Sequence, residues 1–153
     1  MRNYHQHGHW MAYGPSQYGD HLLFARLYEN LDDEIDELAE KIVGVFGVSS
    51  FTASSLVTKM HTFVLRWDKV GCPFKGSLMA EKALQKCLQE TYDKVKENGD
   101  MSLGLDDYIM SLASAHETAL YLLQLRLKDQ IQGDGEPSLT WSFKASGISK
   151  AEK

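Results

Sequence analysis

The sequence predicts an all-α fold on the strength of three observations. Apolar residues recur at alternating intervals of three and four along several long segments, which is the spacing of one helix face. Strand signals are absent, because no segment rich in Val, Ile and Thr alternates with polar residues between turn residues. The chain of 153 residues is long enough to close one core and too short for two independent domains. We therefore expect one helical domain over residues 1–133 and a partly flexible C-terminal tail over residues 134–153.

Turn residues divide the first half of the chain into three helical segments. Pro15 disfavours helical geometry at Gly14, so the residues before it form a short segment of their own. From Phe24 to Val45 the apolar spacing is unbroken, and it predicts one continuous helix with a buried stripe about six turns long. Glycines and serines over residues 44–50 end this helix, and a shorter connector helix follows over about Ser54 to Trp67.

Two further long helices complete the predicted bundle. The third helix runs roughly from Ser77 to Glu97 and stops at the Asn98-Gly99 pair, a usual C-terminal combination. The last helix is the most apolar, and its heptad-like spacing runs from Leu105 to Leu127 and closes at Gln132-Gly133. His116 lies on the core line of this helix, where we expect a packed and hydrogen-bonded histidine.

Composition and motifs argue against several classes of protein. A formal net charge of -5 disfavours nucleic-acid binding by the whole surface, so binding to DNA would need a local patch, such as the lysines of the tail. The chain has no apolar run that could span a membrane and no recognisable signal peptide, which predicts a cytoplasmic protein. Cys72 and Cys87 form no CxxC pair and are expected to be free. Neither the Gly-x-Ser-x-Gly turn of hydrolases nor a phosphate-binding glycine loop is present.

An acidic flank lies beside the apolar stripe of the long helix. At about 100° per residue, one imidazole and four carboxylates border the core positions: His21, Glu29, Asp32, Asp36 and Glu40. Carboxylates at this spacing repel each other, so we expect a compensating cation, either a neighbouring Lys or Arg or a metal ion between two copies of the helix. The remaining acidic residues, Asp33, Glu34 and Glu37, are expected on a solvated surface.

Two histidines favour the metal alternative. His9 and His21 lie on either side of the Gly14-Pro15 turn, which can bring the short first segment back onto the long helix. Imidazole together with carboxylate is a ligand set favoured by iron and zinc. His21 and Glu40 are nineteen residues apart, roughly 30 Å along a helix, so one chain cannot assemble all these ligands. A two-fold axis between antiparallel copies would place the imidazoles of one subunit near Asp36 and Glu40 of another.

The segment from His9 to Ile42 resembles the Dps family, the mini-ferritins of the ferritin-like superfamily. The features that match the family are the His9-Trp10 pair, the glycine-centred turn, the position of His21, and Asp36 and Glu40 in the ending DELAEKI. This motif covers roughly a quarter of the chain. Beyond about Phe51, only the helical layout is similar.

The resemblance implies a ferritin-like four-helix bundle with a short connector helix between the second and third long helices. Family members assemble as hollow dodecamers, oxidise Fe(II) at two-fold interfaces, often with hydrogen peroxide, and store ferric mineral; some also coat DNA. The implied cofactor is iron. The implied catalytic and metal-binding residues are His9, His21, Asp36 and Glu40, with Asp32 and Glu29 as additional candidate ligands and Trp10 packing beside the site.

Ala25 departs from the family pattern, which usually has an Asp ligand four residues after the second histidine. The expected consequence is a site that binds iron weakly, binds one iron rather than two, or recruits Glu29 or Asp32. A second interpretation is therefore a Dps-like shell with a degenerate centre, acting as a structural, metal-sequestering or DNA-associating protein without ferroxidase activity. A third is an unrelated helical bundle whose acidic flank is only surface. His5 and His7 are expected to capture metal adventitiously at most.

Overall fold

The computed structural model describes the backbone of residues 1–132 and the side chains of residues 1–128. This part of the chain is all-helical and contains no strand, which confirms the predicted all-α class. Its helices are α1 (Arg2–Trp10), α2 (Gln17–Tyr28), α3 (Leu31–Phe46), α4 (Ala53–Asp68), α5 (Pro73–Glu97) and α6 (Leu103–Gln132). None of these described helices is both long enough and apolar enough to cross a membrane. The predicted tail, residues 134–153, lies outside the described residues.

The long helices α5 and α6 form the central pair of the fold. Pro73 stands in the first turn of α5, where its fixed φ suits a helix start, so this helix begins earlier than predicted. It ends at Glu97 as predicted, with Gly99 in the left-handed region at a φ of 78°. The two helices pack through a buried cluster formed by Leu88, Tyr108, Ile109 and Leu112.

The helices α1 and α2 form an antiparallel hairpin around the Gly14-Pro15 turn. Gly8 of α1 lies so close to the Phe24 ring that a Cβ on Gly8 would be 2.5 Å from Phe24 Cε1. The other face of Phe24 stacks on Phe74, with ring centroids 4.7 Å apart, and this contact joins the hairpin to α5. The hairpin is therefore held against the central pair by aromatic packing.

The predicted continuous helix from Phe24 to Val45 is wrong, because the helix breaks at Glu29 and Asn30. Asn30 has φ −94° and ψ −4°, outside the usual helical geometry. Asn competes with the helical backbone for hydrogen bonds, and the three acidic residues that open α3 favour a new helix N-terminus. The apolar spacing continues across the break and so conceals it.

The apolar stripe is also less buried than predicted. Ile35 of α3 is 54% exposed and Val45 is 42% exposed. The connector helix α4 is held mainly by the buried Trp67, which packs edge-on against Tyr4, and most of its other large apolar side chains are exposed. We call the following set the exposed apolar residues of α3 and α4: Ile35, Val45, Phe46, Leu56, Val57, Met60, Phe63 and Leu65.

Candidate functional site

His9 and His21 face each other across the α1–α2 hairpin, as the position of the turn predicted. His9 Nδ1 lies 2.9 Å from the backbone oxygen of His21, and His21 Nδ1 lies 3.2 Å from the backbone oxygen of His9. Their ring centroids are 3.5 Å apart. Because a carbonyl oxygen only accepts hydrogen bonds, both Nδ1 atoms carry a proton and donate. In the neutral rings Nε2 is then unprotonated, and within the described residues it has no hydrogen-bond partner.

A cation compensates part of the acidic flank beside this pair. Arg2 forms an ion pair with Asp32 at 2.8 Å, and its guanidinium lies 5.9 Å from the centre of the Tyr28 ring. Tyr28 in turn contacts His9 edge-on, with centroids 5.3 Å apart. Asp32, an additional candidate ligand, is therefore already paired with Arg2.

The principal carboxylate candidates lie away from the imidazole pair of the same chain. Asp36 and Glu40 are one turn apart on the exposed surface of α3 and form no ion pair within the described residues. Asp36 lies on α3, beyond the break at Glu29 and Asn30 that separates it from His21 on α2. No three His, Cys, Asp or Glu side chains of the described residues are placed to hold a metal ion together. One chain therefore offers at most half of the predicted metal site.

The other residues that the sequence predicted at or beside the metal site do not contact the His9–His21 pair in ways that would complete the site. Glu29 is exposed at the break between α2 and α3. Ala25 is half-buried one turn after His21, and its methyl group offers no donor atom. Trp10 is 66% exposed, so its predicted packing role is not fulfilled within one chain.

Asp20, to which the sequence analysis gave no role, anchors the start of α2. Its buried carboxylate accepts hydrogen bonds from Arg126 Nε at 2.5 Å and Nη2 at 2.9 Å. Fork-shaped pairs of this kind fix geometry as well as charge. The residue before His21 is thus tied to α6.

A second polar feature, the core polar chain, crosses the interior and was not predicted. His5 Nδ1 lies 2.8 Å from Ser77 Oγ, and His5 Nε2 lies 2.9 Å from Glu81 Oε1. The other oxygen of Glu81 lies 2.6 Å from His116 Nδ1. His116 Nε2 lies 3.0 Å from Glu34 Oε2. These five residues connect α1, α3, α5 and α6 through the core.

The protonation states along this chain follow from burial and hydrogen bonding. Burial alone would lower the pKa of His116, but its hydrogen bonds to Glu34 and Glu81 outweigh burial and raise the pKa to about 9. Burial would raise the pKa of Glu81, but the hydrogen bonds from His116 and His5 outweigh it and lower the pKa. Burial lowers the pKa of His5, which therefore stays neutral. A neutral His5 donates from Nε2 to Glu81 and accepts the Ser77 hydroxyl proton at Nδ1.

These contacts correct two predictions and confirm one. His5 is no adventitious surface histidine, since its side chain has no solvent exposure. Glu34 is not on a solvated surface, because its side chain is 28% exposed and bonded to His116. His116 is buried and hydrogen-bonded, as predicted. The sequence does contain a signal for the burial of Ser77 and Glu81. Both stand at positions of the three-and-four spacing between Phe74 and Leu88 where an apolar residue would be expected.

The break between α2 and α3 opens a cavity beside the core polar chain. It has a volume of about 240 Å³ and is lined in part by Arg26, Asn30, Glu34, Glu81 and His116. A polar cavity of this size holds water. Solvent therefore reaches the side of Glu34, whose side chain is 28% exposed, whereas the side chain of Glu81 remains fully buried.

Comparison of the chain with protein-family models, with curated proteins and with solved structures finds no match. The resemblance to the Dps family therefore stays a prediction from the motif.

Proposed function

We propose that this protein is a Dps-like mini-ferritin with a ferritin-like bundle, which oxidises Fe(II) at two-fold interfaces between copies of its chain. The iron is then stored or detoxified within a hollow oligomer, as in the family that the motif resembles. The observation that carries the proposal is the His9–His21 pair. Each ring is oriented by a hydrogen bond at Nδ1 and presents Nε2 as a metal donor.

A second copy of the chain is needed to complete the proposed site. Two imidazoles leave most coordination positions of an iron ion open, and carboxylates are suitable ligands for those positions. Asp36 and Glu40 supply them from the exposed side of α3 in the other copy. Ile35, next to Asp36 and 54% exposed, contributes apolar surface to the same contact. A closed dodecamer follows from the resemblance.

The ligand types suit oxidation of iron as a substrate. Carboxylates bind the hard Fe(III) ion more strongly than Fe(II), which favours loss of an electron, while neutral imidazoles retain Fe(II). Peroxide or oxygen from solution accepts the electrons. The ferric product then moves to the interior of the oligomer.

The second candidate function is a shell that binds metal without oxidising it. Two observations favour it: Ala25 supplies no oxygen beside His21, and Asp32 is paired with Arg2. Such a shell would sequester metal or serve as a structural protein. Association with DNA is disfavoured by the net charge of -5.

Kinetics of Fe(II) oxidation separate the two functions. Protein loaded anaerobically with Fe(II) is mixed with peroxide, and ferric absorbance is followed in the wild type and in His21→Ala and Glu40→Ala. We expect both variants to oxidise iron at least about tenfold more slowly. Glu90→Ala is the matched control, since it removes an exposed carboxylate of α5, a helix that carries none of the proposed ligands. Equal rates in all four proteins refute the oxidase, and binding without oxidation favours the sequestering shell.

A further inference from the structure

His5 is held on both sides of its ring by α5. Its Nδ1 and Nε2 atoms are 2.8 Å from Ser77 Oγ and 2.9 Å from Glu81 Oε1, and both partners lie one turn apart on the same helix. We propose that His5, Ser77 and Glu81 are positioning residues for His9. They fix the place of α1 on α5 and thereby the place of the His9 imidazole in the metal site. This inference rests on the proposed function.

Besides the His9–His21 contact itself and the exposed ion pair of Arg2 with Asp32, little else fixes α1 along its own axis. The helix has nine residues, and isolated helices of that length are unstable in water. Its other buried residues are Tyr4 and Gly8, which contact the rings of Trp67 and Phe24. Apart from a 3.2 Å hydrogen bond from the Tyr4 hydroxyl to the Trp67 carbonyl, these contacts are apolar and non-directional. Two hydrogen bonds to one buried ring define a register.

A displacement of α1 reaches the metal site directly. His9 follows His5 by four residues, about 6 Å along the helix axis, on the same face. His21 is fixed separately, because the neighbouring Asp20 is bound to Arg126 of α6. Each imidazole of the pair thus has its own polar anchor in the central helices. Loss of the His5 anchor moves His9 relative to His21.

The rest of the core polar chain maintains the anchor. The second oxygen of Glu81 accepts a hydrogen bond from His116, which is itself held by Glu34. These contacts keep Glu81 ionised although it is fully buried. A charged acceptor forms a stronger hydrogen bond with His5 than a neutral one would.

The test compares His5→Leu with His5→Gln in the full chain. Leu removes both hydrogen bonds at similar volume, whereas Gln keeps one donor and one acceptor. Calorimetric titration uses Co(II), which stands in for Fe(II) without being oxidised, and light scattering establishes equal oligomeric states. We expect His5→Leu to weaken Co(II) binding on the order of tenfold and His5→Gln to restore most of it. Nitrogen NMR of the His9 ring should show loss of the fixed Nδ1–H tautomer in His5→Leu alone.

The matched control is Gln85→Ala, which removes a polar contact of α5 with Ala113 of α6 and leaves α1 untouched. Its Co(II) affinity should equal that of the wild type. A folded His5→Leu variant with wild-type affinity and an unchanged His9 tautomer overturns the positioning role. If His5→Leu does not fold, the Ser77→Ala variant is used in its place. An unchanged Co(II) affinity in Ser77→Ala would equally overturn the positioning role of His5.

Failure of the proposed function gives a different result. In that case His9→Ala and His21→Ala leave Co(II) affinity unchanged. The tautomer of His9 in the His5 variants would still show whether the hydrogen bonds of His5 position the His9 ring.

Discussion

The neighbours of each imidazole decide whether one of its nitrogens is left available or both are held in the core. Carbonyl acceptors hold the protons of His9 and His21 on Nδ1 and leave Nε2 as a donor atom for metal. His116 lies between two carboxylates that retain a proton on each of its nitrogens. It is therefore a cation at neutral pH and has no lone pair for a metal. The same side chain therefore presents an available ring nitrogen in one place and a buried cation in the other.

Replacing Ala25 by Asp is expected to speed Fe(II) oxidation. Ala25 follows His21 by one turn of α2, so a carboxylate there would lie beside the imidazole and add the missing oxygen. We expect a gain of about tenfold in the rate of ferric absorbance after peroxide is added. Leu22→Asp introduces the same charge at an exposed neighbouring position and should have no effect. A rate unchanged in Ala25→Asp would argue against His21 as an iron ligand.

The stability of the fold should decrease between pH 6.5 and pH 9 because of His116. Its pKa is raised in the folded state from 6.5 to about 9. Its contribution is therefore complete below the unfolded pKa and is lost as pH rises through the folded one. The gap corresponds to an upper bound of about 3 kcal/mol. Urea unfolding at both pH values should show this loss in the wild type and a much smaller one in His116→Gln; equal losses would disprove the assignment.

The helices could be predicted from the sequence where the spacing of apolar residues and the residues that end helices indicate the same boundary. The C-terminal end of α5 and the extent of α6 were predicted in this way, whereas α5 begins at Pro73, before the predicted Ser77. The break at Asn30 could not be, because apolar spacing reports which face is buried and not where backbone hydrogen bonding stops. The exposure of Ile35 was also missed, since apolar spacing marks one face of a helix and does not show whether that face packs against the rest of the chain.

The two histidine clusters differ in how far sequence could predict them. The pairing of His9 with His21 follows from a local turn and was predicted. Glu81 was missed because its partners come from distant segments, with His5 lying 76 residues away. A polar residue at a position where the helical spacing predicts an apolar one indicates a buried hydrogen-bond network. The spacing of one helix does not show which residues of other helices are its partners.

Substitution of Gly8 by Ala should displace α1 and destabilise the fold. A Cβ at Gly8 would lie 2.5 Å from Phe24 Cε1, and Phe24 is almost fully buried, so the ring cannot move away freely. We expect a loss of about 1–3 kcal/mol in the free energy of unfolding, measured in urea. Gly19→Ala is the control, because a Cβ there meets nothing within 4 Å. That helical position should gain about 0.5–1 kcal/mol, and equal effects would refute the packing argument.

At the scale of the whole molecule, the exposed apolar residues of α3 and α4 set this chain apart from a self-sufficient bundle. Scattered apolar side chains on a surface are ordinary, but many exposed apolar residues on two consecutive helices favour association. The proposed metal site at His9 and His21 needs carboxylates from another copy, and Asp36 lies beside Ile35 on the same helix. Exposed apolar surface and the proposed carboxylate ligands therefore occur together on α3.

Light scattering should show a mass many times the 17.3 kDa of one chain. Ile35→Glu should lower that mass, because a charge buried in an interface without a partner opposes association. Leu103→Glu provides the comparison, as Leu103 is 90% exposed and lies at the start of α6. A wild-type monomer would remove the basis of the two-fold site, whereas dissociation by both variants would place the contact elsewhere.

The apolar character of that surface also has a thermal consequence. Near room temperature, burial of apolar groups is driven mainly by the entropy of water and weakens on cooling. We expect an assembly held by such side chains to loosen on ice and to re-form on warming. Because each proposed metal site is shared between chains, iron oxidation in the cold would then rise with protein concentration, and near room temperature it would not.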